Sequence, residues 1–284
     1  MSTSGSEVLI IPERWKDAWG CTDCFEQIFS LQGDEYRNMD GRRTLRFDML
    51  GQSYFVKMYQ GIGWWRVCKS LLTFRLPPVF SAYNEWLAIK ILTELGVDTM
   101  TTVAYGERGR NPIARQSFLV TQDLQPTESL EDFCSTWAVH PPAVAVKRAL
   151  LTRVAEVTRL LHSHGINHRD YYLCHFLLDI TSGREHITSE NLRIHLIDLH
   201  RVQFRKRVPL RWRIKDLASL YFSAQDIGLT RRDRLRFIRI YMGLHPGESV
   251  RGTLKQDRGL WRQVERRCTK LYVRYQRKYR DNDA

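Results

Sequence analysis

His168-Arg-Asp-Tyr-Tyr-Leu-Cys-His-Phe-Leu-Leu-Asp179 is the stretch on which the reading of this chain turns. Ahead of it, Val144 to His164 repeats apolar residues at helical spacing and stops at Gly165, so a long amphipathic helix leads into it. Inside it, Phe176-Leu-Leu178 is a short apolar run of strand type. A polar, turn-forming segment, Asp179 to Asn191, separates that run from a second, Ile194-His-Leu-Ile197, which ends in Asp198. The order is therefore helix, loop with Asp170, strand, hairpin loop, strand, Asp198. An aspartate closing a short apolar strand can present its carboxylate at a cleft.

Upstream, two more charged residues join the pair. Lys57 lies in Tyr54-Phe-Val-Lys-Met-Tyr59, a segment rich in strand formers, and Glu85 opens the helical pattern Tyr83 to Leu95 in Asn84-Glu-Trp-Leu87. Either alone is a surface charge by default. The order Lys–Glu–Asp–Asp on strand, helix, loop and strand end is hard to obtain by chance and is the one in which kinases carry their parts: a Lys–Glu pair for the nucleotide phosphates, a carboxylate to take the acceptor proton, and a carboxylate for Mg²⁺. Asp170 fits the second role and Asp198 the third, with Leu199-His200 where Phe-Gly stands in kinases. His175 occupies the position of the metal-binding Asn, so it is a candidate metal residue, although Mg²⁺ prefers hard oxygen ligands. His168 and Arg169 are expected to shape the loop, and Asp216, in Lys215-Asp-Leu-Ala-Ser-Leu-Tyr221, to brace its backbone from a helix. Gly41 in Met39-Asp-Gly-Arg-Arg43, Gln122 and Leu124 are the further ATP-contact candidates; Gly61-Ile-Gly63 follows Lys57 and is rejected as the nucleotide-covering loop.

These features predict an α+β chain with a bilobal protein-kinase-like fold, a β-rich N-lobe and an α-helical C-lobe. Residues 1–35 read as an N-terminal extension holding one short helix around Trp15 to Phe29, 36–125 as the N-lobe, and 126–284 as the C-lobe with a basic C-terminal helix. Expected C-lobe helices are Ile214–Ser223, Arg231–Met242 and Leu260–Tyr279.

Forty-four Lys and Arg against thirty-one Asp and Glu give a net charge of +13 over 284 residues. Such a surface attracts polyanions. Arg201, Arg205, Lys206, Arg207, Arg211 and Arg213 crowd the segment after Asp198, and Arg201 and Arg205 are the candidates for an anionic acceptor. No stretch is long and apolar enough for a membrane span, and Val8-Leu-Ile-Ile11 is too short for a signal peptide, so a cytoplasmic protein is expected. Six scattered cysteines fit reduced thiols; Cys21-Thr-Asp-Cys24 has zinc or redox spacing but no companion pair.

Asn84-Glu-Trp, His162-Ser-His-Gly-Ile-Asn-His-Arg-Asp170, Cys174-His-Phe-Leu-Leu178, Ile197-Asp-Leu-His-Arg201 and Lys215-Asp-Leu-Ala-Ser-Leu-Tyr-Phe-Ser223 together resemble the lipopolysaccharide core heptose(I) kinases, from about Tyr36 to Tyr241. The resemblance implies a cytoplasmic enzyme of Gram-negative bacteria that moves the γ-phosphate of ATP, with Mg²⁺, onto the first heptose of the inner core at the inner membrane. Asp170 would be its catalytic carboxylate, Asp198 a Mg²⁺ ligand, and Lys57 with Glu85 the phosphate-positioning pair. The Kdo kinases share the loop pattern in looser form. Two other readings compete: a protein kinase, against which no Ala-Pro-Glu triplet is found, and a basic binding protein on a kinase-like scaffold, against which the four charged residues stand together.

Expected partners are the core glycolipid, the anionic inner-membrane surface and an acidic protein, but not nucleic acid. Two segments are candidates for the membrane. Trp64 to Leu76 interleaves Trp64, Trp65, Leu71, Leu72 and Phe74 with Arg66, Lys69 and Arg75. The C-terminal stretch spaces Leu260, Val264, Cys268, Leu271 and Tyr275 along one helical stripe beneath a crowd of arginines.

Overall fold

The computed structural model describes residues 7–20, 23–39, 41–61, 81–109, 111, 115–245 and 248–280. The Trp64–Leu76 segment, Gly63 and Cys21 lie outside them. Two compact units result, one from residues 1–94 and 99–124, the other from 95–98 and 125–284. The chain is α+β: an antiparallel sheet dominates the first unit and helices dominate the second.

The first unit begins with β1 (Glu7–Ile10), α1 (Glu13–Trp19), α2 (Cys24–Ser30), β2 (Asp34–Met39), β3 (Arg42–Met49) and β4 (Gln52–Gln60). It continues with α3 (Tyr83–Glu94), β5 (Thr102–Arg108) and β6 (Gln116–Gln122). Its six-stranded sheet runs β1-β5-β6-β4-β3-β2. Alternation along β4 sorts the two faces: Tyr54, Val56 and Met58 are buried on one, and Lys57 lies on the other. The register sets Val56 beside Val120 and Met58 beside Phe118, so the first face is continuously apolar.

That face is covered by residues expected to be an extension. Trp15 on α1 and Phe25 and Ile28 on α2 are wholly buried against Leu45, Tyr54 and Phe118, and Trp15 meets the Tyr54 ring edge-on at 5.0 Å. Val8 and Ile10 pair with β5 as an edge strand. The single expected helix is two, because Gly20 closes α1 in a left-handed conformation and the Asp23 carboxylate caps α2 by accepting from the amides of Phe25 and Glu26. Asp23 also takes a hydrogen bond from Arg108, which holds its carboxyl below the usual range. Cys24 is buried at the start of α2.

The second unit contains β7 (Thr127–Ser129), α4 (Leu130–Cys134), α5 (Val144–Ser163), β8 (Ile166–Asn167), β9 (Phe176–Asp179), β10 (Ile194–Leu196) and β11 (Gln203–Phe204). It ends with α6 (Leu210–Ser223), α7 (Arg231–Met242), α8 (Val250–Gln256) and α9 (Arg258–Arg280). β9 and β10 form the expected hairpin, with β7 on its other edge. α5 buries Leu150, Val154, Val157 and Leu161, a stripe at helical spacing. Thr230 and Asp233 close a capping box at the start of α7.

Two expectations change here. α6 starts at Leu210, four residues earlier than its apolar pattern suggested, so Arg211 and Arg213 of the basic segment after Asp198 are helical. The C-terminal stripe is internal over its first part: Leu260, Val264 and Cys268 are buried, and the first two pack with Ile214, Leu217 and Tyr241, while Tyr275 further along is exposed. It therefore offers no membrane face there. Among the helices, Leu150, Leu217, Phe237, Ile238, Trp261 and Val264 help to line an apolar cavity of about 410 Å³. Among the described residues, no helix is long and apolar enough to cross a membrane.

Candidate active site

In the first unit, β4 sits between β6 and β3 and presents Lys57 toward α3. The Lys57 ammonium meets the Glu85 carboxylate at 2.5 Å, and Glu85 is almost fully buried. Its second oxygen, Oε2, has no partner. A buried carboxylate held by one lysine fixes that lysine's direction, because breaking the pair would strand a charge. Between β2 and β3 the sequence holds one glycine, Gly41, too few for a multi-glycine cradle. Gly41 adopts a φ of 74° and its carbonyl accepts from the Gln60 amide. Gln122 ends β6, with its amide on the Thr101 carbonyl, and Leu124 follows in an irregular segment.

In the second unit, the loop after β8 is braced from several directions. Asp216, buried on α6, accepts from the amides of His168 at 2.7 Å and Arg169 at 2.9 Å. His162 stands 3.5 Å from the same carboxylate, and its other ring nitrogen meets Tyr241 Oη at 2.9 Å. His168 Nε2 donates to the Ile197 carbonyl at 3.0 Å, tying the loop to the residue before Asp198. Burial lowers the pKa of His168, so its ring is neutral. Arg169 and Asp198 both take left-handed conformations, with φ of 78° and 60°. Such backbone costs energy and persists only where its surroundings enforce it.

The carboxylate of Asp170 is the focus of this scaffold. Arg201 donates to both of its oxygens, at 3.1 and 2.8 Å, and Lys215 stands 3.4 Å from Oδ1. Lys215 also donates to the Arg169 carbonyl, and burial, the largest influence, lowers its pKa. Arg201, an expected acceptor contact, is bound to Asp170. Arg205 is anchored by neutral amides, donating to Asn167 Oδ1 at 2.6 Å and Gln203 Oε1 at 2.8 Å. Lys215 escaped the sequence reading. Its only signal was adjacency to Asp216 on the same helix.

The fit of a divalent cation can be judged from His175 and Asp198. His175 Nδ1 donates to the Asp170 carbonyl at 2.6 Å, which leaves the lone pair on Nε2. That nitrogen faces Asp198 Oδ2 at 3.6 Å, while His200 lies 2.5 Å from Asp198 Oδ1. An imidazole nitrogen and a carboxylate oxygen at that distance can share a cation, and Asp198 supplies the hard oxygen that suits Mg²⁺. Among the described residues, no group of three or more His, Cys, Asp or Glu side chains could hold a metal alone. Mg²⁺ commonly keeps waters and substrate phosphates as ligands and needs only one or two carboxylates. Asp198 would be the oxygen donor, with His175 beside it.

A family model for the lipopolysaccharide kinase (Kdo/WaaP) family matches residues 26–241. The chain belongs to that family. Two lipopolysaccharide core heptose(I) kinases named WaaP, from Escherichia coli and from Pseudomonas aeruginosa PAO1, are each 49% identical to it over 269 residues. The alignments cover 94% and 95% of this chain and 98% and 97% of those relatives. A solved structure, WaaP in complex with acyl carrier protein, is 44% identical and superposes with a TM-score of 0.78. It covers 93% of this chain and 99% of its own.

Proposed function

We infer that this chain transfers the γ-phosphoryl group of ATP to a hydroxyl of the first heptose of the lipopolysaccharide inner core. The observation that carries this reading is 49% identity, over nearly the whole chain, to two heptose(I) kinases. The roles of individual residues follow from phosphoryl-transfer chemistry. Asp170, steadied by Arg201 and Lys215, orients the sugar hydroxyl and takes its proton as the new O–P bond forms and the bond to ADP breaks. Lys57, aimed by Glu85, binds nucleotide phosphates. Asp198 is the protein ligand for Mg²⁺, which when bound supplies charge neutralisation at the phosphates.

The glycolipid acceptor places the reaction at the inner face of the inner membrane, where a basic chain is drawn to anionic lipid. An acidic acyl carrier protein is the proposed protein partner. Three observations support it: the solved relative in complex with acyl carrier protein, the net charge of +13, and the 410 Å³ apolar cavity, which suits an acyl chain.

The test is phosphate transfer by the purified protein with Mg·ATP onto dephosphorylated core glycolipid, with a generic protein substrate as the control. Transfer to the glycolipid heptose alone is the expected result. Transfer to protein alone, or none to glycolipid, would refute the reading.

A further inference from the structure

Trp212, in the first turn of α6, has three guanidinium groups gathered on it. Arg169 lies 5.1 Å, Arg211 5.3 Å and Arg205 6.0 Å from its ring centroid. A cation is attracted to an indole, which accounts for each contact singly. It does not account for three like charges in one place, whose mutual repulsion grows as water is excluded. Among the described residues, none of the three forms an ion pair, and the partners of Arg205 are neutral amides.

Several further features have the same sign. Arg169 is only 8% exposed, and its Nε has no partner; nor has the buried indole Nε1 of Trp212. Burial, the largest influence, lowers the pKa of the Arg169 guanidinium; Arg201 and Arg205 act in the same direction, against Asp170 and Asp216. The start of α6 has no side-chain cap and no acidic residue in its first turn, which carries Arg211 and Arg213 instead. Cations at the positive end of a helix are unfavourable, and an anion there is favourable. A missing negative charge would reconcile all of this.

We propose that Arg169, Arg205 and Arg211, gathered about Trp212 at the start of α6, form a subsite for an oxyanion carried by the acceptor. The group is a carboxylate or phosphate near the sugar hydroxyl that receives phosphate. The subsite adjoins Asp170, which follows Arg169 directly and is held by Arg201. It positions the acceptor and takes no part in the proton transfer. The proposal rests on the reading of the chain as a glycolipid kinase and deepens it by naming what the acceptor must carry.

The experiment compares wild type with Arg211→Glu, an exposed position whose replacement spares the fold. The expected outcome is an acceptor KM raised about tenfold or more with an ATP KM within about twofold, since the lost interaction is made to the acceptor in ground and transition state alike. Sulfate should compete with the acceptor in wild type and not in the variant. Two altered acceptors separate the sources: one with its carboxylates esterified, one with its phosphates removed. Whichever group is recognised, its loss should raise KM in wild type and leave the variant unchanged. Equal acceptor KM in both proteins, with both altered acceptors used normally, would overturn the subsite. Should wild type not phosphorylate the glycolipid at all, that result counts against the kinase reading itself. The subsite is then judged by tryptophan fluorescence of the ADP-saturated protein titrated with sulfate. A change that disappears in both Trp212→Phe and Arg211→Glu supports it; no change in wild type overturns it.

Discussion

Asp170 and its neighbours separate what motif chemistry reveals from what folding adds. The two aspartates, the lysine and the glutamate could be picked out because kinase-like folds carry those residue types in that order. Arg201 and Lys215 were not, because they reach Asp170 across 31 and 45 residues of chain. Lys215→Met should therefore lower kcat without changing the KM for ATP, because it loosens Asp170 and the Arg169 carbonyl together. Steady-state kinetics with each substrate varied would show it, and an unchanged kcat would make the contact incidental. His168 makes a second prediction. Its folded pKa lies below the unfolded value of about 6.5, so below that pH the unfolded chain binds the extra proton and stability falls. The His168 ring resonances should titrate below pH 6.5, and titration above it would contradict the assigned burial.

Elements were legible where periodicity was long. α5 and α7 could be read from the apolar pattern or its boundaries, and the β9–β10 hairpin from two apolar runs about a polar turn. Short elements were harder. α1 and α2 each have seven residues, so the two buried faces merged into one pattern, and only Gly20 and Asp23 mark the break. β1 has four residues and its role is set by β5, nearly a hundred residues away. The junction of α5 with the active-site loop gives the sharpest test at this scale. Gly165 has a φ of 75°, and a Cβ there would fall 1.7 Å from the Arg205 carbonyl oxygen. Gly165→Ala should destabilise the second unit by more than the ~1 kcal/mol of an ordinary glycine effect, because backbone must move as well. The urea midpoint measures it; an unchanged midpoint would mean the chain passes Arg205 differently.

At the scale of the whole molecule, the net charge was legible and the destination of the C-terminal stripe was not. Amphipathic spacing fits a membrane face and a packed helix equally well, and burial of Leu260, Val264 and Cys268 decides for packing. Leu260→Ala should accordingly cost about 2–5 kcal/mol in urea unfolding without lipid present. A neutral effect would return the stripe to the surface. The division into a sheet-rich and a helical unit was visible in the switch of period from two to 3.6. The most direct test of Asp170 as the acceptor-activating carboxylate is the single-turnover rate of phosphate transfer from Mg·ATP to dephosphorylated core glycolipid, measured for wild type and Asp170→Asn. A positioned general base contributes about 10²–10⁴-fold, so the rate should fall by that factor while ATP affinity and the unfolding midpoint hold. A variant that transfers phosphate to the heptose at close to the wild-type rate would contradict it.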